Sequence, residues 1–348
     1  MAKSGAGQEV MYGGQAVIEG VMIRSPRYIA VACRLPEPDG KPGRTSPIDI
    51  HTEPVRSLFL KRPWLRKLPL VRGMVSLFEM LGLGLRSLER SANIQAAFLQ
   101  VIAPLLCLAT PAKQEKGALN GPLMAGTIAV AFTFGFALFV LLPNWVADLL
   151  GRWLGFGDHS LALNLVEGLL RLLIFVGYIT AIGLMPDIRR VFQYHGAEHK
   201  VVNAYEAGVP LNIEQSARMS VIHPRCGTNF AFLVIVLSIV VFSFLPWTSS
   251  LLERVGMRLL CLPLVAGIGF ELIRFVGTRR EVAWLQALIA PGLWLQKLTT
   301  REPDPDMIEV ALASFNAVKL AEETDELTTE VRGEARQRVE FPAETAGE

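Results

Sequence analysis

Three of the five histidines in this chain fall within 29 residues of one another, and their spacing is that of ligands. His195, Glu198 and His199 form an H-x-x-E-H string. On a helix, residues four apart lie on one face, so His195 and His199 can present both imidazoles to a single cation. Glu198 then stands where a base on a metal-activated water would stand, the order found in inverzincin-type sites. A second string follows at His223-Pro224-Arg225-Cys226-Gly227, with His223 and Cys226 spaced H-x-x-C. Imidazole and thiolate together favour zinc, or another transition metal, over magnesium or calcium. If His195, His199, His223 and Cys226 all ligate, the site is closed and structural. If only three do, a position remains open for chemistry. Glu206 and Arg225 flank these strings and are further candidates.

These residues need a helix and a following turn to bring them together. A helix from about residue 188 to 206 suits the first string, ended by Gly208 and Pro210. Gly196 inside that helix permits another backbone to come close. Far upstream, Gly13-Gly14 reads as a turn before a short apolar element that carries Glu19. Gln15 or Glu19 is a candidate to reach the metal site or its substrate.

Around this segment the chain is apolar in blocks. Hydrophobic residues make up 51% of 348, charged residues 19%, and the mean hydropathy is +0.37. A helix needs about 20 residues to cross the hydrocarbon core. Four segments qualify: Pro122 to Pro143, Leu161 to Pro186, Thr228 to Trp247, and Gly256 to Val276. Pro143, Pro186 and Trp247 read as their ends. The expected fold is an α-helical polytopic membrane protein with about four transmembrane helices, a small N-terminal β-containing cytoplasmic domain and amphipathic interfacial helices.

The connection Asp187 to Gly227 carries Arg189, Arg190, Lys200, Arg218 and Arg225, whereas 144–160 and 248–255 carry only Arg152 and Arg254. The positive-inside rule puts the histidine-bearing loop and both termini in the cytoplasm, with the chain in the inner (plasma) membrane. No basic stretch leads into an apolar run at the N-terminus, so no cleavable signal is expected. The four cysteines, Cys33, Cys107, Cys226 and Cys261, form no disulfide framework.

The expected organisation is a flexible N-terminus (1–10), a small α+β domain (11–60) and a basic interfacial region (61–121). Two spans (122–186), the loop with the metal site (187–227) and two more spans (228–276) follow. An interfacial and cytoplasmic segment (277–320) and a disordered acidic tail (321–348) complete the chain. Within the α+β domain, Tyr28 to Leu35 and Ile48 to Val55 read as two strands of a hairpin. Leu70 to Arg90, Ala92 to Pro111 and Trp284 to Leu298, the last interrupted by Pro291-Gly292, read as interfacial helices. Inside the spans, Glu167 with Arg171 and Glu271 with Arg274 are spaced to pair. Charges in such places are functional hypotheses by default.

The strings GGQAVIEGVM from Gly13, YHGAEHKVVNAYE from Tyr194, HPRCGT from His223 and PGLWLQKLTTREPDPDMIEV from Pro291 resemble the YqhQ-like family of bacterial membrane proteins. The likeness covers roughly residues 10 to 320. That family is a domain of unknown function, labelled in places a predicted metal-dependent enzyme. The chain departs from its pattern at Ser25, where Gly is expected, and between Ala92 and Gly121.

Three functions compete. The first is a membrane-bound zinc-dependent hydrolase with Glu198 as its catalytic group. The second is a non-enzymatic scaffold knotted by structural zinc. The third is a transporter using Glu167, Arg171 and Glu271. The expected partner of the basic N-terminal region is membrane lipid, a homo-oligomer is open to the chain, and no specific nucleic acid is indicated. No Walker loop, Rossmann fingerprint or serine-nucleophile elbow is present.

Overall fold

The computed structural model describes residues 10–37, 44–105, 121–155, 159–248, 250–278 and 282–339. Four strands come first: β1 (Gly13–Val17), β2 (Gly20–Arg24), β3 (Tyr28–Arg34) and β4 (Ile48–Pro54). They pair in sequence order as one antiparallel sheet. The expected hairpin is β3–β4, with Tyr28 opposite Pro54 and Arg34 opposite Ile48. Gly13-Gly14 is not a turn. Both residues lie in β1, and the chain reverses at Ile18-Glu19, where Glu19 has φ 52°. Gly14 is glycine for want of space: a Cβ there would strike the Met22 carbonyl and sit 2.9 Å from Cγ of Glu198.

Alternation along the strands gives the sheet two apolar faces. Val21, Ile23, Ala30 and Ala32 join the main core, with Tyr194, Val201, Ile308 and Phe315. Val17, Met22, Val31 and Cys33 face the other way, against Ile94.

After the sheet come a short helix α1 (Leu58–Lys61), a 3-10 turn (Pro63–Lys67) and the long α2 (Val71–Leu105). The two expected interfacial segments there are one helix as far as Leu105, and 106–120 lie outside the described residues. Polar residues inside α2 do not break it, because they tether it to the sheet. Ser91 Oγ accepts from the Ile18 N–H at 3.2 Å, and Gln95 Nε2 donates to the Arg34 carbonyl at 3.0 Å.

Helices α3 (Gly121–Phe136) and α4 (Leu142–Leu154) are joined without a break by a π-helical stretch, Ala137–Leu141. The expected stop at Pro143 is therefore overturned. Proline lacks an N–H and crowds the preceding turn, and the wider π turn just before it relieves both problems. Next come α5 (Ser160–Ile182), α6 (Pro186–Glu206), α7 (Ile213–Ala217), α8 (Gly227–Ser243) and α9 (Leu251–Thr278). Among the described residues, three helices are long and apolar enough to cross a membrane: 126–154, 160–182 and 251–276. The apolar α8 is shorter, at 17 residues.

Helix α10 (Ala283–Thr299) continues through Pro291-Gly292, and α11 (Pro305–Val339) ends the described chain. Gly292 lets α10 close onto Asn229 of α8. The tail expected to be disordered from residue 321 is helical through Val339. Glu322 and Asp325 lie 2.8 and 2.9 Å from Arg27, fixing that helix to the β2–β3 turn, and the Ser25 hydroxyl also donates to Glu322. Glu167 pairs with Arg171 as its spacing suggests. Glu271 instead takes Arg72 of α2 as partner and also accepts from the Leu70 N–H.

Candidate metal centre

The H-x-x-E-H string lies in the middle of α6, and its partners come from three directions. Pro186 starts the helix, a position where its missing N–H is harmless. Tyr194, Ala197 and Val201 bury one face against the sheet and α11. Gly196 faces the carbonyl of Arg301, which a Cβ would strike, and the Arg301 N–H returns a 2.9 Å bond to the Phe192 carbonyl. The close approach expected at Gly196 is thus made by the strand of chain between α10 and α11.

Both α6 histidines are held through Nδ1. His195 Nδ1 lies 2.9 Å from the Thr299 carbonyl at the end of α10, and His199 Nδ1 lies 2.6 Å from the Val221 carbonyl. A carbonyl only accepts, so each Nδ1 carries a proton, and the neutral ring keeps its lone pair on Nε2. The His195 Nε2 lies 3.2 Å from Sγ of Cys226, and the rings of His195 and His199 are 4.4 Å apart. Ligand atoms of His195, His199 and Cys226 all fall within 4.8 Å of one another.

The donor set fits zinc. Bonds of about 2.0 Å to nitrogen and 2.3 Å to sulfur in a tetrahedron put ligand atoms roughly 3.3–3.7 Å apart, inside the span seen here. Metal-bound histidines characteristically give their other N–H to a carbonyl, as these two do.

Cys226 is the N-cap residue of α8, and its sulfur also meets Thr228 Oγ1 at 3.1 Å. The 217–222 segment that delivers it is clamped to α6. Lys200 donates to the carbonyls of Ala217 and Met219, and Asn203 donates to those of Ser220 and Ile222. Four backbone carbonyls of this loop are thus satisfied by one helix face.

Glu198 is 5% exposed, and its Oε2 lies 3.5 Å from His199 Nε2. Burial pushes its carboxyl above the ordinary range, against the opposing pull of His195, His223 and the Gly14 N–H. The carboxyl is thereby suited to hold a proton beside the unprotonated imidazole nitrogens.

The other candidates divide. His223 is buried in the same region, its ring 5.7 Å from that of His199, but its Nε2 faces Glu206 at 3.3 Å. Glu206 is also paired with Arg225. Glu19 is placed away from the cluster. Both its oxygens accept from Arg190 at 2.6 Å, and Tyr194 OH donates to it at 3.2 Å. That bond to Glu19 holds the Arg190 guanidinium above its usual pKa range, and burial raises the Tyr194 phenol. Gln15 is on the opposite sheet face, its amide against Gly84 of α2.

Comparison with known proteins turns these motifs into an assignment. The profile of a family described as protein of unknown function (DUF1385) matches residues 68–321. The chain belongs to this family. It is also similar to the uncharacterized protein YqhQ of Bacillus subtilis (strain 168), with 35% identity over 309 residues, covering 88% of this chain and 91% of that protein. No solved structure matches it. The family span includes every candidate ligand, whereas Gly14, whose N–H reaches Glu198, lies before it.

Sequence reasoning missed Gln296 and the carbonyls of Thr299 and Val221. Gln296 is fully buried on α10 and holds His223 by both backbone groups, accepting its N–H at 3.0 Å and donating to its carbonyl at 2.9 Å. Thr299 contributes only a carbonyl. A lone amide inside the apolar run Leu293–Leu298 was the available signal for Gln296, while a backbone acceptor leaves none.

Proposed function

We propose that the protein is a membrane-bound, zinc-dependent hydrolase. Its centre would be held by His195, His199 and Cys226 at the cytoplasmic membrane surface. The observation that carries this reading is the convergence of two Nε2 lone pairs and one thiol beside a buried carboxyl. When bound, zinc supplies Lewis acidity that makes water a nucleophile at neutral pH. Thr299 and Val221 fix the imidazoles in the ligating tautomer. Glu198 takes and returns a proton at Oε2, and Gly14 keeps its carboxylate in register through the backbone N–H. His223, engaged with Glu206, leaves the fourth position open.

Membrane placement is part of the reading. The three long apolar helices and α8 together make four spans, and the basic 187–227 loop puts the centre and both termini on the cytoplasmic side. The exposed Trp294, with Lys297 over its ring at 5.6 Å, suits α10 as an interfacial element at the same level.

Metal analysis of the purified full-length protein tests the proposal. Wild type should carry about one zinc per chain, His199→Ala almost none, and Glu198→Gln the full complement. Metal-free wild type after purification with zinc present would sink the proposal. A second reading, a closed structural zinc with His223 as fourth ligand, draws on the short His199–His223 separation. His223→Ala separates the two: the open site keeps its metal, and the closed site loses it.

A further inference from the structure

A second polar cluster lies at the far ends of α5 and α8, away from the histidines. Arg171, Arg254 and Arg258 are each 8% exposed or less, and Glu167 and Asn144 are fully buried. Glu167 accepts from Arg171 and lies 3.6 Å from Arg258. Asp148 lies 3.2 Å from Arg254, while its other oxygen is taken by Arg152 at 2.8 Å. Among the described residues, the buried account is therefore three guanidiniums against one buried carboxylate and one shared, partly exposed one. Arginine does not deprotonate in proteins, so the excess cannot be shed as a proton.

The donors are also in surplus. Asn144 and Asn164 already give their oxygens to Arg254 and Arg258, at 3.1 and 2.7 Å. Arg171 reaches a backbone carbonyl, that of Phe139, at 3.0 Å. Asn144 Nδ2 nevertheless remains buried without a hydrogen-bond partner, while Arg258 Nε and Glu167 Oε2, also unsatisfied, face each other at 3.6 Å. A buried donor left unmet is costly, and a buried uncompensated charge is costlier still. Trp247 and Phe242 stand over the guanidiniums at 4.5–5.8 Å and wall the cluster.

We infer that this cluster binds an oxyanion of the phosphate class, which supplies the missing negative charge and accepts from Asn144 Nδ2. Guanidinium forks match the tetrahedral oxygens of such a group. The cluster runs from Asn164, about 6 Å along α5 from its first residue, to Arg171, about 16 Å along it. Trp247 occupies the level where aromatic side chains meet headgroups. A lipid headgroup and free phosphate present the same chemistry, and the test distinguishes them.

The full-length protein in neutral detergent is followed by thermal unfolding. Phosphatidylglycerol, phosphatidylcholine or inorganic phosphate is added at matched ionic strength. A saturating anionic ligand should raise the wild-type midpoint by about 5 °C. A rise with phosphatidylglycerol alone identifies a headgroup, and a rise with inorganic phosphate as well identifies a free anion. Asn144→Asp places a carboxylate inside the cluster, so this variant should be as stable without ligand and lose the response. Native mass spectrometry of the wild type, where phosphatidylglycerol should be retained over phosphatidylcholine, keeps the test independent of that variant's folding. No response to either phosphate source, or an unchanged response in Asn144→Asp, would overturn the inference.

Discussion

The two ends of α5 and α8 carry polar clusters of opposite character. At the histidine end, backbone carbonyls of Thr299 and Val221 occupy the Nδ1 protons, and the Nε2 atoms and the Cys226 sulfur converge. At the arginine end, asparagine oxygens are already engaged, guanidiniums outnumber carboxylates, and the Asn144 N–H group is left over. One end is rich in lone pairs and the other in protons. The same physical rule, that buried polar groups find partners, predicts a cation at the first and an anion at the second. Which lone pairs and protons are left after internal bonding, more than residue type, decides what each cluster can hold.

The largest expected effect tests the arginine end. Glu167→Ala leaves Arg171 and Arg258 buried without their carboxylate and should destabilise the protein by about 3–5 kcal/mol, read by unfolding in detergent. A loss below 1 kcal/mol would mean that water already compensates these charges, and the contrast between the ends would fail. At the histidine end, Gly196→Ala forces a methyl group onto the Arg301 carbonyl. It should cost about 1–3 kcal/mol and lower zinc content, because the shift moves Thr299 away from His195. Unchanged zinc would uncouple that approach from the centre.

Cys33 offers a contrast with Cys226, since it is buried among Val17, Met22 and Val31 and not beside a base. Burial pushes its thiol up to about 12. The folded state thus favours the protonated form. The resulting stability is full below the unfolded value of about 8.5 and is lost as pH rises towards 12. From pH 8 to 10, wild type should lose about 2 kcal/mol more than Cys33→Ala. Parallel pH profiles would contradict this. The smallest effect is expected away from both ends. Ser25→Gly removes the hydroxyl that donates to Glu322, which keeps Arg27, and that accepts from the Tyr28 N–H, and should cost about 1 kcal/mol by thermal unfolding.

The local parts of this architecture were readable in the sequence. The histidine spacing on α6, the β3–β4 hairpin and the apolar blocks each depend on near neighbours. What escaped depends on distant partners. Gly13-Gly14 reads as a turn because glycine is ambiguous between turning and close packing, and only Glu198, far along the chain, decides it. Acidic residues beyond 320 read as solvated until Arg27 is seen opposite them. Arg254 reads as a flanking positive charge, with nothing local to bring it to Asn144 and Asp148. Pro143 was misjudged because its remedy, the π turn, has no distinct composition.

That π turn has a consequence for how the chain tolerates length changes. It accommodates one extra residue per turn relative to an α-helix, so deleting a single residue within 137–141 would restore regular winding. Everything beyond would then keep its orientation, whereas the same deletion in the regular winding of α3 would rotate it by about 100° about the helix axis. That second deletion would swing Asn144 and Asp148 from the helix interior to its outer face, although neither residue had been touched. It should resemble the loss of both side chains at once, whereas a deletion within 137–141 should be nearly silent.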